Sequence, residues 1–149
     1  MNLEIMDIFE NQIIMITMVA WVVAQSLKLI IDKIRFKRVD FTRIVGAGGM
    51  PSSHSAFVTA LATVIAIRHG LNSTEFSLAF AFAGVVMYDA AGVRRSTGAQ
   101  AKILNKIVQD LYSKEHTVKV ERLKELIGHS PIEVFAGAIL GFFIAFFLA

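Results

Sequence analysis

Four long apolar runs separated by polar stretches set the outline of the chain. The first covers 13–31 and is interrupted by Thr17, Gln25, Ser26 and Lys28. The second, 55–68, is rich in Ala and Thr; the third, 75–91, in Ala; and the fourth, 132–149, in Phe, Ala and Gly. About twenty apolar residues in helical form cross the hydrocarbon core of a bilayer. The pattern therefore predicts an all-α fold: an integral membrane helical bundle with about four transmembrane helices, forming a single domain over 1–149. The small residues of the second and third runs suit close helix packing better than lipid exposure. Gly70 is placed to end the second helix, and Ser73 or Thr74 to cap the third. Between the third and fourth runs, Ile103, Leu104, Ile107, Val108 and Leu111 recur at helical spacing, with Lys102, Lys106, Gln109 and Asp110 largely elsewhere on the turn. This predicts an amphipathic helix lying on the membrane or against the bundle. Val120, Leu123, Leu126 and Ile127 predict a second, shorter one.

Composition strengthens the membrane assignment. Of 149 residues 55% are hydrophobic, and the mean hydropathy is +0.60. An ordinary soluble domain is less apolar. The absence of cysteine excludes disulfides, a thiolate zinc site and a cysteine nucleophile. Glu4, Asp7 and Glu10 stand where a signal peptide would carry basic residues, so no cleavable leader is expected.

Charge changes the picture through its location. The positive-rich connections are 32–50 and 94–128, whereas the N-terminal stretch is acidic and the 68–75 turn is short. The positive-inside bias puts both basic connections in the cytoplasm of a multi-pass cell-membrane protein. Topology thus accounts for the basic residues, and no nucleic-acid partner is expected. The same topology brings Lys28, His54, Asp89, Arg94, Arg95, His129 and Glu133 to one boundary, the cytoplasmic one.

Chemistry gathers at that boundary. In Gly46-Ala47-Gly48-Gly49-Met50-Pro51-Ser52-Ser53-His54-Ser55, three glycines free the backbone to approach a ligand. Pro51 presets a first helical turn, and Ser52, Ser53 or Ser55 can cap it. A helix start carrying hydroxyls and an imidazole is a recipe for an anion site, phosphate above all; the bland reading is a polar loop entering a membrane helix. Asp89, at the end of the third run, is expensive at the hydrocarbon edge without a partner, and Arg94 and Arg95 are natural partners or phosphate clamps. A purely topological role for the two arginines is the alternative. His129 and Glu133 share a helix face, so the carboxylate can hold the imidazole in one tautomer and raise its basicity. A coincidental i,i+4 pair is the alternative there.

Taken together, Gly48-Gly49-Met50-Pro51-Ser52-Ser53-His54-Ser55, Asp89-Ala90-Ala91-Gly92-Val93-Arg94-Arg95 and Gly128-His129-Ser130-Pro131-Ile132-Glu133-Val134 resemble a divergent branch of the type 2 phosphatidic acid phosphatase and vanadium-dependent haloperoxidase superfamily. The resemblance covers about 20–145. It implies a phosphohydrolase without metal or other cofactor, acting on a lipid phosphate at the cytoplasmic leaflet. By that resemblance His129 attacks phosphorus to form a phosphohistidine, Glu133 orients it, and His54 protonates the leaving oxygen. Ser52 and Ser53 join the phosphate cradle with Lys28, Arg35, Arg94 and Arg95, and Asp89 supports them. The chain departs from the usual signatures in four places: Ser53 for glycine, Glu133 for aspartate, Leu123 where the third signature has arginine, and Phe36 where the first has proline.

Two other readings share these residues. One is a non-catalytic protein that binds or transports a lipid phosphate and keeps the pocket. The other is metal-dependent phosphotransfer, because Asp89-x4-Arg94 echoes the start of the CDP-alcohol phosphotransferase signature; its downstream carboxylates are absent. Gly137-x3-Gly141 on the last run can serve a homodimer face or packing within the chain. Phosphatidate, phosphatidylglycerophosphate and a polyprenyl phosphate or diphosphate fit the same cradle.

Overall fold

A computed structural model describes residues 6–36, 49–112 and 128–149. All regular structure among them is helical: α1 Met6–Glu10, α2 Gln12–Phe36, α3 Ser53–His69, α4 Thr74–Ala91, α5 Val93–Tyr112 and α6 Pro131–Leu148. The expected second short amphipathic helix, with Leu123, lies outside the described residues. So do Gly46, Ala47 and Gly48 of the glycine-rich stretch.

Three described stretches are long and apolar enough to cross a membrane: Gln12–Ile34, Thr74–Gln109 and Pro131–Leu148. The fold is thus that of a multi-pass helical bundle. α3, at 17 residues, is about 25 Å long at 1.5 Å per residue. It is the central helix, packed against α2, α4 and above all α6. Its buried positions are small or polar (Ser53, Ser55, Ala56, Ala60, Ala62) apart from Val58 and Val64. The large apolar side chains point outward instead, Phe80, Phe82, Phe135, Phe146 and Phe147 among them. A soluble bundle would place these inside; in hydrocarbon the inside needs close fit, not hydrophobicity. Hydroxyls within the helices are satisfied locally: Thr17 donates to the Ile13 carbonyl, Ser26 to that of Val22 and Thr63 to that of Thr59.

Local chemistry explains the helix ends. Ser52, Ser73 and Ser130 are N-caps, each accepting a backbone N–H in the first turn. Gly70 closes α3 with φ +86°, a conformation that L side chains resist. Pro51 precedes the cap of α3 and is not its first helical residue, so this helix begins at Ser53, slightly ahead of the expected 55. Pro131, in contrast, opens α6. α5 continues α4 after Gly92 and exposes Ile103, Leu104 and Ile107, an amphipathic helix as expected.

The glycine pair on α6 packs within the chain, the second of the two readings of its spacing. A Cβ on Gly137 would lie 2.2 Å from the Ser52 carbonyl oxygen, and one on Gly141 would lie 2.2 Å from that of Ala56. Both glycines are occupied by the backbone of α3, so this face is not available to a second copy. Helices that approach so closely leave no room for even one methyl group.

We expect Gly137→Ala and Gly141→Ala each to destabilise the fold by about 1–3 kcal/mol, the usual cost of overpacking. Gly84, with open space around it, is the control, and Gly84→Ala should leave stability unchanged or slightly raised. Thermal unfolding of the detergent-solubilised variants measures both.

Candidate functional site

One end of the bundle collects the C-terminal turns of α2 and α4 and the N-termini of α3 and α6. Three backbone constraints hold them together. The Ser52 N–H donates to the Glu133 carbonyl at 2.9 Å, joining α3 to α6. The His129 N–H donates to the Ala90 carbonyl at 3.1 Å, joining the turn before α6 to the end of α4, beside Asp89. Gly49, with φ +89°, lies over the stem of Lys28: a Cβ there would meet the Lys28 Cγ at 3.2 Å. That position needs glycine both for its backbone angle and for its clearance.

His129 is fully buried. Its Nδ1 lies 3.1 Å from Glu133 Oε2. The same carboxylate oxygen accepts the Ser130 N–H at 3.2 Å, while Ser130 Oγ accepts the Glu133 N–H at 3.4 Å. This is a capping box, so Glu133 orients the imidazole while it closes the helix start. The carboxylate assigns the proton to Nδ1 and leaves the lone pair on Nε2. Nε2 is buried and, among the described residues, makes no hydrogen bond of normal geometry. Burial lowers the His129 pKa below the ordinary imidazole value, with the Lys28 charge adding to that direction. The Glu133 hydrogen bond and charge, and the nearby Gly49 backbone, act against it. The balance favours a neutral ring near pH 7.

His54, in the first turn of α3, faces this imidazole edge to face, with ring centroids 5.9 Å apart and planes at 67°. Two residues 75 apart in sequence thus present their rings across one small gap. Lys28 and Asp32 complete the wall from α2, both buried. Lys28 does not snorkel to the surface; it is 2% exposed, with the charges of Asp32 and Glu133 around it.

The expected phosphate ligands divide into two groups. Lys28, Ser52 and Ser53 are at this end of the bundle and buried. Ser52 is committed to structure: its Oγ accepts from the N–H and the hydroxyl of Ser55, and its own N–H is engaged by Glu133. Nothing in the structure explains serine in place of glycine at position 53. Arg35 lies in the last turn of α2, and Arg94 and Arg95 in the first turn of α5, but their side chains lie outside the described residues. Asp89 is half-buried in the last turn of α4. Among the described residues no three His, Asp or Glu side chains gather into a metal-binding group.

Sequence reasoning missed two features. The capping box could be read from Ser130-x-x-Glu133, the Ser-x-x-Glu pattern just before an apolar run. Asp32, assigned to the polar loop, in fact lies within α2, one turn beyond Lys28. That i,i+4 spacing was its signal.

The profile of the Divergent PAP2 family matches residues 9–144. The uncharacterized membrane protein YuiD of Bacillus subtilis (strain 168) is 40% identical over 154 residues, an alignment covering 97% of this chain and 98% of that protein. No solved structure matches.

Titration of His129 by NMR should give a pKa below the ordinary imidazole value of about 6.5. Glu133→Ala should lower it further, because the carboxylate favours the charged ring. Lys28→Met should raise it, because a neighbouring positive charge is removed. Shifts of the opposite sign would refute this account of the electrostatics.

Proposed function

The chain belongs to the Divergent PAP2 family, and from that membership we propose that it is an integral membrane phosphatase that hydrolyses a lipid phosphate monoester or diphosphate through a phosphohistidine. One observation carries the reading: a buried neutral imidazole, held at Nδ1 by Glu133, with an unengaged Nε2 beside the ring of His54. A nucleophile needs a lone pair, a fixed direction and a partner for the proton that must move. His129 has the first two, and His54 supplies the third.

In this mechanism Nε2 of His129 attacks the terminal phosphorus, and its bond to the lipid oxygen of a monoester, or to the bridging oxygen of a diphosphate, breaks. The His54 imidazolium gives its proton to that oxygen. Water, deprotonated by the now neutral His54, then attacks the phosphohistidine; inorganic phosphate leaves and His54 is again protonated. Glu133 offsets the positive charge that develops on the His129 ring. Lys28, with the N-terminus of α3, stabilises the phosphoryl oxygens, aided by Arg35, Arg94 and Arg95. Ser53 contributes through its first-turn position, whereas Ser52 acts by holding the α3 start on α6. Asp89 supports the arginines.

Four spans, the 13–31, 55–68, 75–91 and 132–149 of the sequence pattern, give a topology with the site on the cytoplasmic side. The second reading, a lipid-phosphate binder without turnover, draws on Leu123 in place of the third-signature arginine.

Purified protein in lipid–detergent micelles should release inorganic phosphate from phosphatidate, phosphatidylglycerophosphate or a polyprenyl phosphate without added metal. His129→Ala should reduce turnover by about 10⁴-fold or more, as removal of a nucleophile does, and His54→Ala by about 10²–10⁴-fold. Turnover should fall as the pH drops through the lowered His129 pKa, because protonation removes the attacking lone pair. Retained turnover in His129→Ala would sink the mechanism. Saturable lipid-phosphate binding with neither turnover nor a trappable phosphohistidine would favour the second reading.

A further inference from the structure

α4 is the loosely held member of the bundle. It packs on α3, touches α6 only lightly, and shares no extensive contact with α2 among the described residues. Its buried positions are three alanines, Ala79, Ala83 and Ala90, so it meets its neighbours through a narrow strip of methyl groups. An apolar groove therefore opens on each side of it.

The two grooves differ in what lies at their ends. The one between α4 and α6 has a volume of about 530 Å³, runs past Gly84, Phe142 and Phe146, and reaches Leu71 and Phe76 at the end of the bundle opposite the two histidines. The one between α2 and α4 has a volume of about 400 Å³ and is lined by Met18, Trp21, Phe57, Phe82 and Val86, with His54 at its head. Among the described residues, His54 is its one ionisable lining residue. The ring of His54 has the nucleophile-side imidazole on one face of the site and hydrocarbon-like walls below it.

The length of this second groove is set by its helices. Met18 lies ten residues before Lys28 on α2, and Phe82 lies seven before Asp89 on α4. At 1.5 Å per residue these are about 15 Å and about 10 Å from the polar boundary. Half of a hydrocarbon core about 30 Å thick is about 15 Å. The groove therefore runs from the site to about the middle of the bundle, with Trp21 and Phe82 near the centres of the 13–31 and 75–91 runs and Met18 one turn beyond. It opens sideways between two helices inside the bilayer, where the surrounding solvent is hydrocarbon and the occupant must be a hydrocarbon chain.

Resting on the phosphatase reading of the site, we infer that the groove between α2 and α4 is the hydrocarbon-chain subsite. A lipid phosphate slides into it laterally from the leaflet on the site's own side. Its chain lies against Trp21, Phe57 and Phe82, and its ester oxygen arrives at His54. Diacyl and polyprenyl phosphates share the required chemistry, a phosphate on a long chain. The groove on the other flank of α4 takes no part in substrate binding.

The test uses the full chain in nanodiscs and two readouts. The first is photocrosslinking with lipid phosphates carrying a diazirine midway along the chain, one diacyl and one polyprenyl, with the labelled residues mapped by mass spectrometry. Labelling of Met18, Trp21, Phe57 or Phe82 is expected, competed by unlabelled lipid phosphate but not by the matching neutral lipid. Which probe is competed tells the two lipid classes apart. Labelling centred on Phe142 and Phe146 would overturn the inference. The second readout is kinetic. Met18→Trp, which fills the end of the groove farthest along the helices from His54, should raise KM for a long-chain lipid phosphate at least tenfold more than KM for a soluble short-chain phosphate ester. Gly84→Trp, which fills the other groove, should change neither; a KM rise in Gly84→Trp alone would also overturn it. The two proposals fail separately. Competed labelling in the α2–α4 groove without phosphate release removes catalysis and keeps the subsite. Phosphate release with labelling elsewhere removes the subsite and keeps catalysis.

Discussion

The backbone-to-backbone contact between α3 and α6 is the constraint from which the rest of the arrangement follows. Gly137 and Gly141 remove the side chains that would hold these helices apart, and the carbonyls of Ser52 and Ala56 fill the space. At that separation the Ser52 N–H reaches the Glu133 carbonyl. The cap of one helix and the first turn of the other thereby become one rigid unit. His54 is two residues from that bond on one side and Glu133 is part of it on the other, so the separation of the two imidazoles is fixed by main chain. Van der Waals fit must supply this rigidity, because hydrocarbon solvent gives no hydrophobic drive to bring apolar helix faces together. The small-residue core of α3 and the outward Phe side chains are two expressions of the same condition.

Glu133 shows how few groups such a site needs. Its backbone carbonyl receives Ser52, its backbone N–H is capped by Ser130, and its carboxylate holds both Ser130 N–H and His129 Nδ1. Aspartate, one methylene shorter, is the residue usual in the wider superfamily. The reciprocal capping box uses the reach of glutamate, which gives the exchange a structural reason. The price of this economy is a carboxylate only partly free to stabilise an imidazolium. Burial and Lys28 already lower the pKa of His129, and Glu133 offsets them incompletely. The outcome, a neutral ring with one oriented lone pair, is what nucleophilic attack at neutral pH requires.

Much of this was legible beforehand, for physical reasons that can be named. Long apolar runs read as spanning helices because the bilayer imposes their length, and Ser73 and Gly70 marked helix ends because few residues do that work. The convergence of Lys28, His54, Asp89 and His129 followed from alternating helix direction and the bias of basic loops. Packing was harder to read. Whether Gly137 and Gly141 meet another copy or another helix of the same chain is the same pattern in sequence, and only the partner's position decides. Pro51 and Pro131 each precede or open a helix beside a serine, yet one sits before the cap and the other inside the first turn; dipeptide chemistry does not distinguish them. The burial of Lys28 depended on Gly49, a residue from a different element lying over its stem. The dual role of Glu133 is readable from Ser130-x-x-Glu133.

The same packing logic accounts for the apolar grooves on either flank of α4. α3 and α6 are locked by glycine, and α2 joins them through Ile16, Ala20, Ala60, Val64 and Ala145. α4 meets the bundle through its alanine strip and, at its end, the Ala90 carbonyl, so close packing is concentrated on α2, α3 and α6, which with the turn before α6 carry Lys28, His54 and His129. A lipid must bring a charged head to buried groups without dragging its chain through water. A bundle sealed on all flanks would admit the head only from the aqueous end and would need the whole lipid to leave the membrane. A bundle with one lightly held helix keeps the reacting groups fixed and leaves apolar openings beside it. The tight contact and the lightly held helix are thus complementary: the first sets the geometry of the histidines, and in the proposed function the second would let a membrane-borne substrate reach them.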